Sequence, residues 1–330
     1  MRKQTYNWGI LGTGKIAKRF MQAVFYVPEA RVVAVGSRAQ HTADAFGSHF
    51  GIPKRYASYQ AVLEDPEVEI VYVATPHSLH AENTIQALQA GKHVLCEKPF
   101  TLNARQAEEV VAYARQSGRF VMEGMWTRCF PLMREVVRRV EAGELGDLSL
   151  VQADFGFQPP FDPTSRLFNP ELGGGALLDV GIYPVALALQ FLGVPHQMVS
   201  SAIVGQTGVD EVCAMIFHYS AGALAVLSAS IRVNTPKQAV LCGTKGTILL
   251  PAPWWKPSEA YLTRADGSQE HLQFSYEGDG LQFEIRHVHD CLHKGLTESP
   301  WMRLDETLIL MRLMDALRAQ WGVAYPQERA

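Results

Sequence analysis

The sequence has no basic excess: 30 Lys and Arg stand against 33 Asp and Glu, a formal net charge of −3, and like charges do not run together. A polyanion needs neutralising charge, so nucleic acid is not an expected partner. Cysteine is sparse. Cys96, Cys129, Cys213, Cys242 and Cys291 lie far apart with no C-x-x-C pair, which argues against a disulfide framework or a zinc site and for a reducing compartment. No run approaches the roughly 20 apolar residues of a membrane span. Behind Arg2 and Lys3, the apolar stretch Trp8 to Leu11 is too short for a signal peptide before glycines intervene. Internal repeats and low-complexity segments are missing too. The expectation is a cytoplasmic protein with neither nucleic acid nor membrane as partner.

What is present is a globular composition, 47% hydrophobic and 19% charged, over 330 residues, enough for two cores. From Trp8 the pattern alternates. Strands are expected at Trp8 to Leu11, Arg31 to Val35, Ile70 to Ala74, His93 to Cys96 and Phe120 to Glu123. Helices are expected at Lys15 to Phe25, Thr42 to Phe50, Ser78 to Ala90 and Thr101 to Ser117, the last two stopped by Gly91 and Gly118. Parallel neighbours need a crossover, so this alternation implies a doubly wound α/β sheet over residues 1–125. Beyond one helix near Pro131 to Ala142, strands follow one another instead: Leu148 to Phe157, Gln197 to Val204, Val212 to His218, Ala223 to Ser230, Gln238 to Cys242 and Thr247 to Leu250. Residues 126–330 therefore read as an α+β domain with a largely antiparallel sheet, one face covered by a helix from Gly175 to Leu192.

The first strand-to-helix turn, Gly12-Thr13-Gly14-Lys15-Ile16-Ala17, matches G-x-G-x-x-[GA]. Gly12 permits the tight turn, Gly14 lets backbone approach a pyrophosphate, Ala17 lets helix pack on sheet, and the helix N-terminus offers N–H groups to an anion. NAD-specific sites place an acid at the end of the second strand. Here the chain reads Val35-Gly36-Ser37-Arg38 instead. Arg38 and Ser37 suit a 2′-phosphate, which favours NADP and leaves NAD open; the alternative is that Arg38 is a solvated loop charge.

Ligands of such sheets sit beyond the carboxyl ends of the strands. Two ends carry chemistry: Thr75-Pro76-His77-Ser78-Leu79-His80 and Glu97-Lys98-Pro99. Each proline stops ladder pairing, leaving Thr75, Pro76, His77, His80, Glu97 and Lys98 at the sheet edge as cofactor-side candidates. A lysine directly after a buried strand is unusual, the plain alternative being a salt bridge to Glu97.

The glycine turn, T-P-x-x-x-H at Thr75 to His80, A-G-K-H-V-x-x-E-K-P at Ala90 to Pro99 and G-G-G-A-L-L-D-x-G-x-Y at Gly173 to Tyr183 together resemble the glucose-fructose oxidoreductase / inositol dehydrogenase family, over essentially the whole chain. The resemblance implies a Rossmann fold, a role for Lys98 near the nicotinamide and substrate hydroxyl, Asp179 and Tyr183 as its counterparts, and Trp126 and Phe155 at the substrate. It also implies a dimer through the open sheet face. Many relatives carry His where Tyr183 stands, which points to the branch acting on trans-dihydrodiols or aldopyranoses.

Asp179 and Tyr183 are four apart on one expected helix, so one face can present both. Hydride transfer from a carbinol carbon needs a base for the hydroxyl proton. A phenol, with a pKa of about 10, is a poor base unless an ammonium such as Lys98 stabilises its anion. Tyr183 is the candidate, with Lys98 itself as the competing base and Asp179 orienting Lys98 or binding a substrate hydroxyl. A buried phenol bonded to a carbonyl is the plain reading of Tyr183. His287, His289 and His293 lie near Cys291, but no H-E-x-x-H accompanies them, and a polar helix face explains them without a metal. The competing function is a dinucleotide-sensing regulator of the same fold without turnover.

Overall fold

The computed structural model describes residues 4–328, so Arg2 and Lys3 lie outside the described residues. The chain opens with β1 (Tyr6–Leu11), α1 (Lys15–Val24), β2 (Ala30–Gly36), α2 (Gln40–Phe50), β3 (Lys54–Tyr56) and α3 (Tyr59–Glu64). It continues through β4 (Ile70–Val73), α4 (His80–Gln89), β5 (His93–Glu97), α5 (Ala104–Ser117) and β6 (Val121–Gly124). These strands form a six-stranded parallel sheet in the order β3-β2-β1-β4-β5-β6. All four residues of β4, Ile-Val-Tyr-Val, are buried, as befits a central strand covered by helices on both faces. Helix α1 buries Ala17, Phe20 and Ala23 on one stripe. The strand order reverses between β1 and β4, the switch point at which such sheets bind ligands.

Two elements here escape the sequence pattern. Lys54-Arg55-Tyr56 forms the edge strand β3, half-buried throughout, and α3 has only Val62 and Leu63 buried. Neither is long or periodic enough to announce itself.

The next stretch holds α6 (Pro131–Glu141), β7 (Leu148–Gly156), α7 (Ile182–Leu192), β8 (Gln197–Val204), β9 (Asp210–His218), β10 (Leu224–Ser230), β11 (Ala239–Gly243), β12 (Gly246–Leu250), β13 (Glu259–Arg264) and β14 (Gln269–Gln273). They build an eight-stranded sheet, β14-β13-β12-β11-β7-β10-β9-β8, antiparallel except where β7 runs parallel to β10. Helix α7 and the turn before it pack on β7, β10 and β9. Strands β13 and β14 were unforeseen because Glu-Ala-Tyr-Leu-Thr-Arg and Gln-Glu-His-Leu-Gln carry too few apolar residues. The chain ends with α8 (Leu281–His293) and α9 (Leu304–Trp321).

Two compact units result. The first takes Met1–Cys129 and Glu277–Leu308, the second Phe130–Tyr276 and Ile309–Ala330. The expected division into 1–125 and 126–330 omits that return: Val288 and Ile285 bury one face of α8 within the first unit, and Trp126 also belongs there. One further expectation is corrected. The stretch Pro170–Leu192 is long and apolar enough to span a membrane by composition, and 83% of its most apolar window is buried. Core packing in the second unit accounts for its apolar residues.

Candidate active site

In the first unit the glycine turn joins β1 to α1. Gly12 has φ +100°, and a Cβ there would lie 2.7 Å from the Ala74 carbonyl oxygen, so only glycine fits. A Cβ at Gly14, by contrast, would meet nothing within 4 Å, and Gly14 caps α1 with no side-chain hydrogen bond. The space is open, and the first-turn N–H groups of α1 that follow Thr13, those of Lys15 and Ile16 among them, have no acceptor within the helix. The cradle therefore fits a dinucleotide pyrophosphate at the positive end of α1. Ala17 is fully buried and lets α1 lie close on the sheet.

At the end of β2 Arg38 is exposed. Ser37 is buried, and its Oγ lies 2.5 Å from Thr42 Oγ1, which in turn donates to the Ala39 carbonyl. Since the Thr42 proton is used, the Ser37 hydroxyl donates to Thr42. It retains lone pairs and no proton, so the donor for a 2′-phosphate falls to Arg38.

The other strand ends are fastened together. His80 is fully buried, with Nδ1 2.7 Å from the Pro99 carbonyl and Nε2 2.9 Å from the Thr75 carbonyl. Burial lowers its pKa to about 4, against the pull of the two carbonyls. A neutral ring carries one N–H and so donates to only one of these carbonyls; it lies buried between the turn after β4 and the turn after β5, not at the sheet edge where the sequence expected it. His77 is buried and packs edge-on against His80 at 5.6 Å. Pro76 is half-buried, and the Thr75 Oγ1 accepts from the Asn83 side chain at 3.0 Å. Glu97 also lies beneath the edge. It accepts from the Tyr72 hydroxyl on Oε1 and from the Lys98 N–H on Oε2 at 3.2 Å. Lys98 itself is half-buried, ahead of a cis bond to Pro99. Trp126 sits in this unit with the Arg19 guanidinium 5.0 Å above its ring.

The second unit holds Phe155, Asp179 and Tyr183. The expected helix from Gly175 begins as a π-turn, Leu177–Gly181, before α7. The Ile182 N–H reaches back to the Leu177 carbonyl, five residues earlier. Pro184 supplies the reason, because its ring cannot donate to Val180 and crowds that carbonyl. Asp179 falls inside the π-turn and Tyr183 just past it.

The glycines before this helix are required by Asp210 on β9. Its Oδ2 accepts from the Leu177 N–H at 2.6 Å, capping the helix from a strand 33 residues away in sequence. Gly175 has φ +119°, and a Cβ there would collide with Asp210 Oδ1; one at Gly174 would lie 2.8 Å from the Leu167 carbonyl. Burial raises the Asp210 pKa to about 7 even though the helix N–H groups favour the anion.

Two partners here were missed by the sequence reading. Arg166 grips Asp179 with both guanidinium nitrogens, at 2.8 and 3.4 Å, so a charged partner for Asp179 comes from its own unit. Trp255 stacks on Phe155 at 3.5 Å and 11°, with the Tyr183 ring 5.4 Å from Phe155 and 6.4 Å from Trp255. The Trp254 indole, bonded to the Asp154 carbonyl at 2.8 Å, anchors that loop. Arg166 and Trp255 sit in irregular segments whose spacing carries no periodic signal.

His287 and His289 of α8 have protein partners. His287 lies 2.7 Å from the Ser299 hydroxyl, and His289 accepts from the Trp8 indole at 3.0 Å. Among the described residues no group of three or more His, Cys, Asp or Glu is arranged to hold a metal.

The sequence matches the oxidoreductase family with an NAD-binding Rossmann fold (GFO_IDH_MocA) over residues 6–125 and the GFO/IDH/MocA C-terminal domain over residues 133–249. It is 37% identical to trans-1,2-dihydrobenzene-1,2-diol dehydrogenase of Xenopus tropicalis, covering 97% of this chain and 99% of that protein. The human enzyme of that name is 36% identical, with 98% and 99% covered. Among solved structures, a 3-ketoreductase from Actinomadura kijaniata in complex with NADP and TDP-benzene superposes with a TM-score of 0.85 at 29% identity, covering 96% of this chain and 98% of that one. An aldose-aldose oxidoreductase from Caulobacter crescentus complexed with glycerol gives 0.86 at 25% identity, covering 96% and 97%. With the glycine cradle, the Glu97-Lys98-Pro99 turn and a capped Asp179/Tyr183 helix in place, the chain belongs to the GFO/IDH/MocA oxidoreductase family and is an NAD(P)-dependent dehydrogenase.

Proposed function

We propose that the protein oxidises one carbinol carbon of a trans-dihydrodiol or an aldopyranose with NADP. The observation that carries the substrate class is the stacked Phe155–Trp255 pair beside Tyr183. Aromatic faces accept the diene face of a dihydrodiol or the C–H face of a pyranose, while the Asp179 carboxylate gripped by Arg166 is held ready to accept from a hydroxyl. The relatives' name supports the diol, and the aldose-aldose oxidoreductase supports the sugar.

Arg38 selects the 2′-phosphate, and the first turn of α1 binds the pyrophosphate. A bound nicotinamide supplies hydride acceptance. Tyr183, as the phenolate, takes the substrate's hydroxyl proton and becomes the phenol, Asp179 fixes the neighbouring hydroxyl, and Lys98 supplies the ammonium that stabilises the anion. Replacing Trp255 with Ala tests the platform: KM for diol and sugar should rise about 10-fold or more, given the 0.5–1.5 kcal/mol of an aromatic contact plus its buried area, while NADP affinity stays put. Unchanged KM for both substrates would remove the platform from the binding site.

The protein is further proposed to act as a cytoplasmic homodimer. Val199, Ile216 and Val226 lie opposite one another across β8, β9 and β10 and are 51%, 41% and 40% exposed. Such a contiguous apolar row on a sheet face fits burial against a second copy.

A further inference from the structure

Glu284 of α8 is fully buried within the first unit, and neither carboxyl oxygen has a hydrogen-bond partner among the described residues. It lies against Gly124, the cross-strand partner of Glu97. A Cβ on Gly124 would be in ordinary contact with both, 3.4 Å from the Glu97 Cα and 3.7 Å from Glu284 Oε2, which places the Glu284 carboxyl close to Glu97. Glu97 is itself buried, and it holds the Lys98 backbone N–H.

The Lys98 ammonium faces Glu97, and Arg19 is shared with Asp279, so no cation among the described residues is left to Glu284 alone. Tyr72 from β4 donates to Glu97, and burial holds its own proton firmly. Arg19 from α1 faces both carboxyls, but its guanidinium is bonded to Asp279 at 2.5 Å and lies over Trp126. In the turn following β6, Arg128 is paired with Glu306 at 2.6 Å. Glu123 of β6, which burial raises to about 7, is engaged by the Phe100 N–H and the Thr307 hydroxyl. Burial raises both Glu97 and Glu284, the latter further because no donor reaches it.

We propose that Glu284 is a positioning residue for Lys98, forming with Glu97 a buried carboxyl pair that carries one proton between them. Glu284 holds the proton, and Glu97 keeps the charge that fixes the Lys98 turn through its N–H and offsets the Lys98 ammonium. Loss of the proton at alkaline pH sets two anions side by side and loosens the turn. The role assigned to Lys98 rests on the dehydrogenase reading above; the pair itself does not.

Infrared spectra of the full-length native protein and of Glu284→Gln at neutral pH provide the test. Asp210 and Glu123, both raised to about 7, contribute equally to the two spectra and cancel, so the native-minus-variant difference should show the carbonyl stretch of one protonated carboxylic acid, shifted in D2O. Absence of that difference band overturns the pair whether or not the protein turns over any substrate. The pH profile of NADPH formation then tests positioning. Glu284→Gln cannot lose a proton, so the highest-pH fall in kcat of the native enzyme should vanish, with KM for NADP changed less than about 3-fold. A band that behaves as expected with coincident native and variant profiles would leave a proton pair and overturn its action on Lys98.

Discussion

Single residues decide cofactor and proton chemistry. If Arg38 meets the 2′-phosphate, Arg38→Ala removes a charge-assisted bond of about 1.5–3 kcal/mol, so the NADP dissociation constant should rise about 10- to 100-fold at 1.4 kcal/mol per decade. NAD binding, followed by the same fluorescence titration, should stay within about 2-fold; no loss for either would make Arg38 a solvated loop charge, and an equal loss for both would place its contact away from the 2′-phosphate. If Tyr183 is the proton acceptor, Tyr183→Phe should lower kcat by about 100-fold or more. NADP affinity should hold, and a phenylalanine variant with native turnover would hand the role to Lys98. At this scale the glycine turn was legible because strict local spacing announces it, and the same kind of local reading singled out Arg38 and Lys98, whose roles are proposed. Arg166, Trp255, Asp210 and Glu284 were not, since each acts on a partner 13 or more residues away through contacts that no periodicity encodes.

At the scale of the element, the helix bearing Asp179 and Tyr183 depends on Gly175 and Asp210. Gly175→Ala places a Cβ at φ +119° against Asp210. Strain of about 1–3 kcal/mol should lower Tm by several degrees and depress kcat together with it; native Tm would show that Asp210 has room to move. The folded-state pKa of Asp210 is raised to about 7, so its contribution to stability is complete below the ordinary carboxylate range and is lost as pH rises through about 7. Asn cannot ionise. The Tm of Asp210→Asn relative to native should therefore climb between pH 5 and pH 8, by about 2 °C or more, in differential scanning calorimetry. A pH-independent difference would refute the buried titration. The sequence foretold this helix but not its π-turn, because the effect of Pro184 on Val180 is a matter of carbonyl geometry. The polar strands β3, β13 and β14, at or next to a sheet edge, were hidden for the opposite reason: half-exposed strands need few apolar residues.

For the whole molecule, alternation of strand and helix was enough to fix a parallel first sheet, and consecutive strands enough to fix a mainly antiparallel second one. That Glu277–Leu308 rejoins the first unit was not visible, since an amphipathic helix does not state which core its apolar face will enter. The apolar row on β8, β9 and β10 predicts a dimer of the 36.6 kDa chain at micromolar concentration. Val226→Lys should shift sedimentation toward the monomer, and a native protein already monomeric would contradict it. The central claim is tested most directly by following NADPH absorbance with purified protein, NADP and a series of donors: trans-cyclohexanediols, xylose and glucose. The account predicts NADPH formation with at least one donor, faster with NADP than with NAD by about 10-fold or more. No reduction of either nucleotide by any diol or aldose, with NADP still bound, would contradict it and leave a dinucleotide sensor.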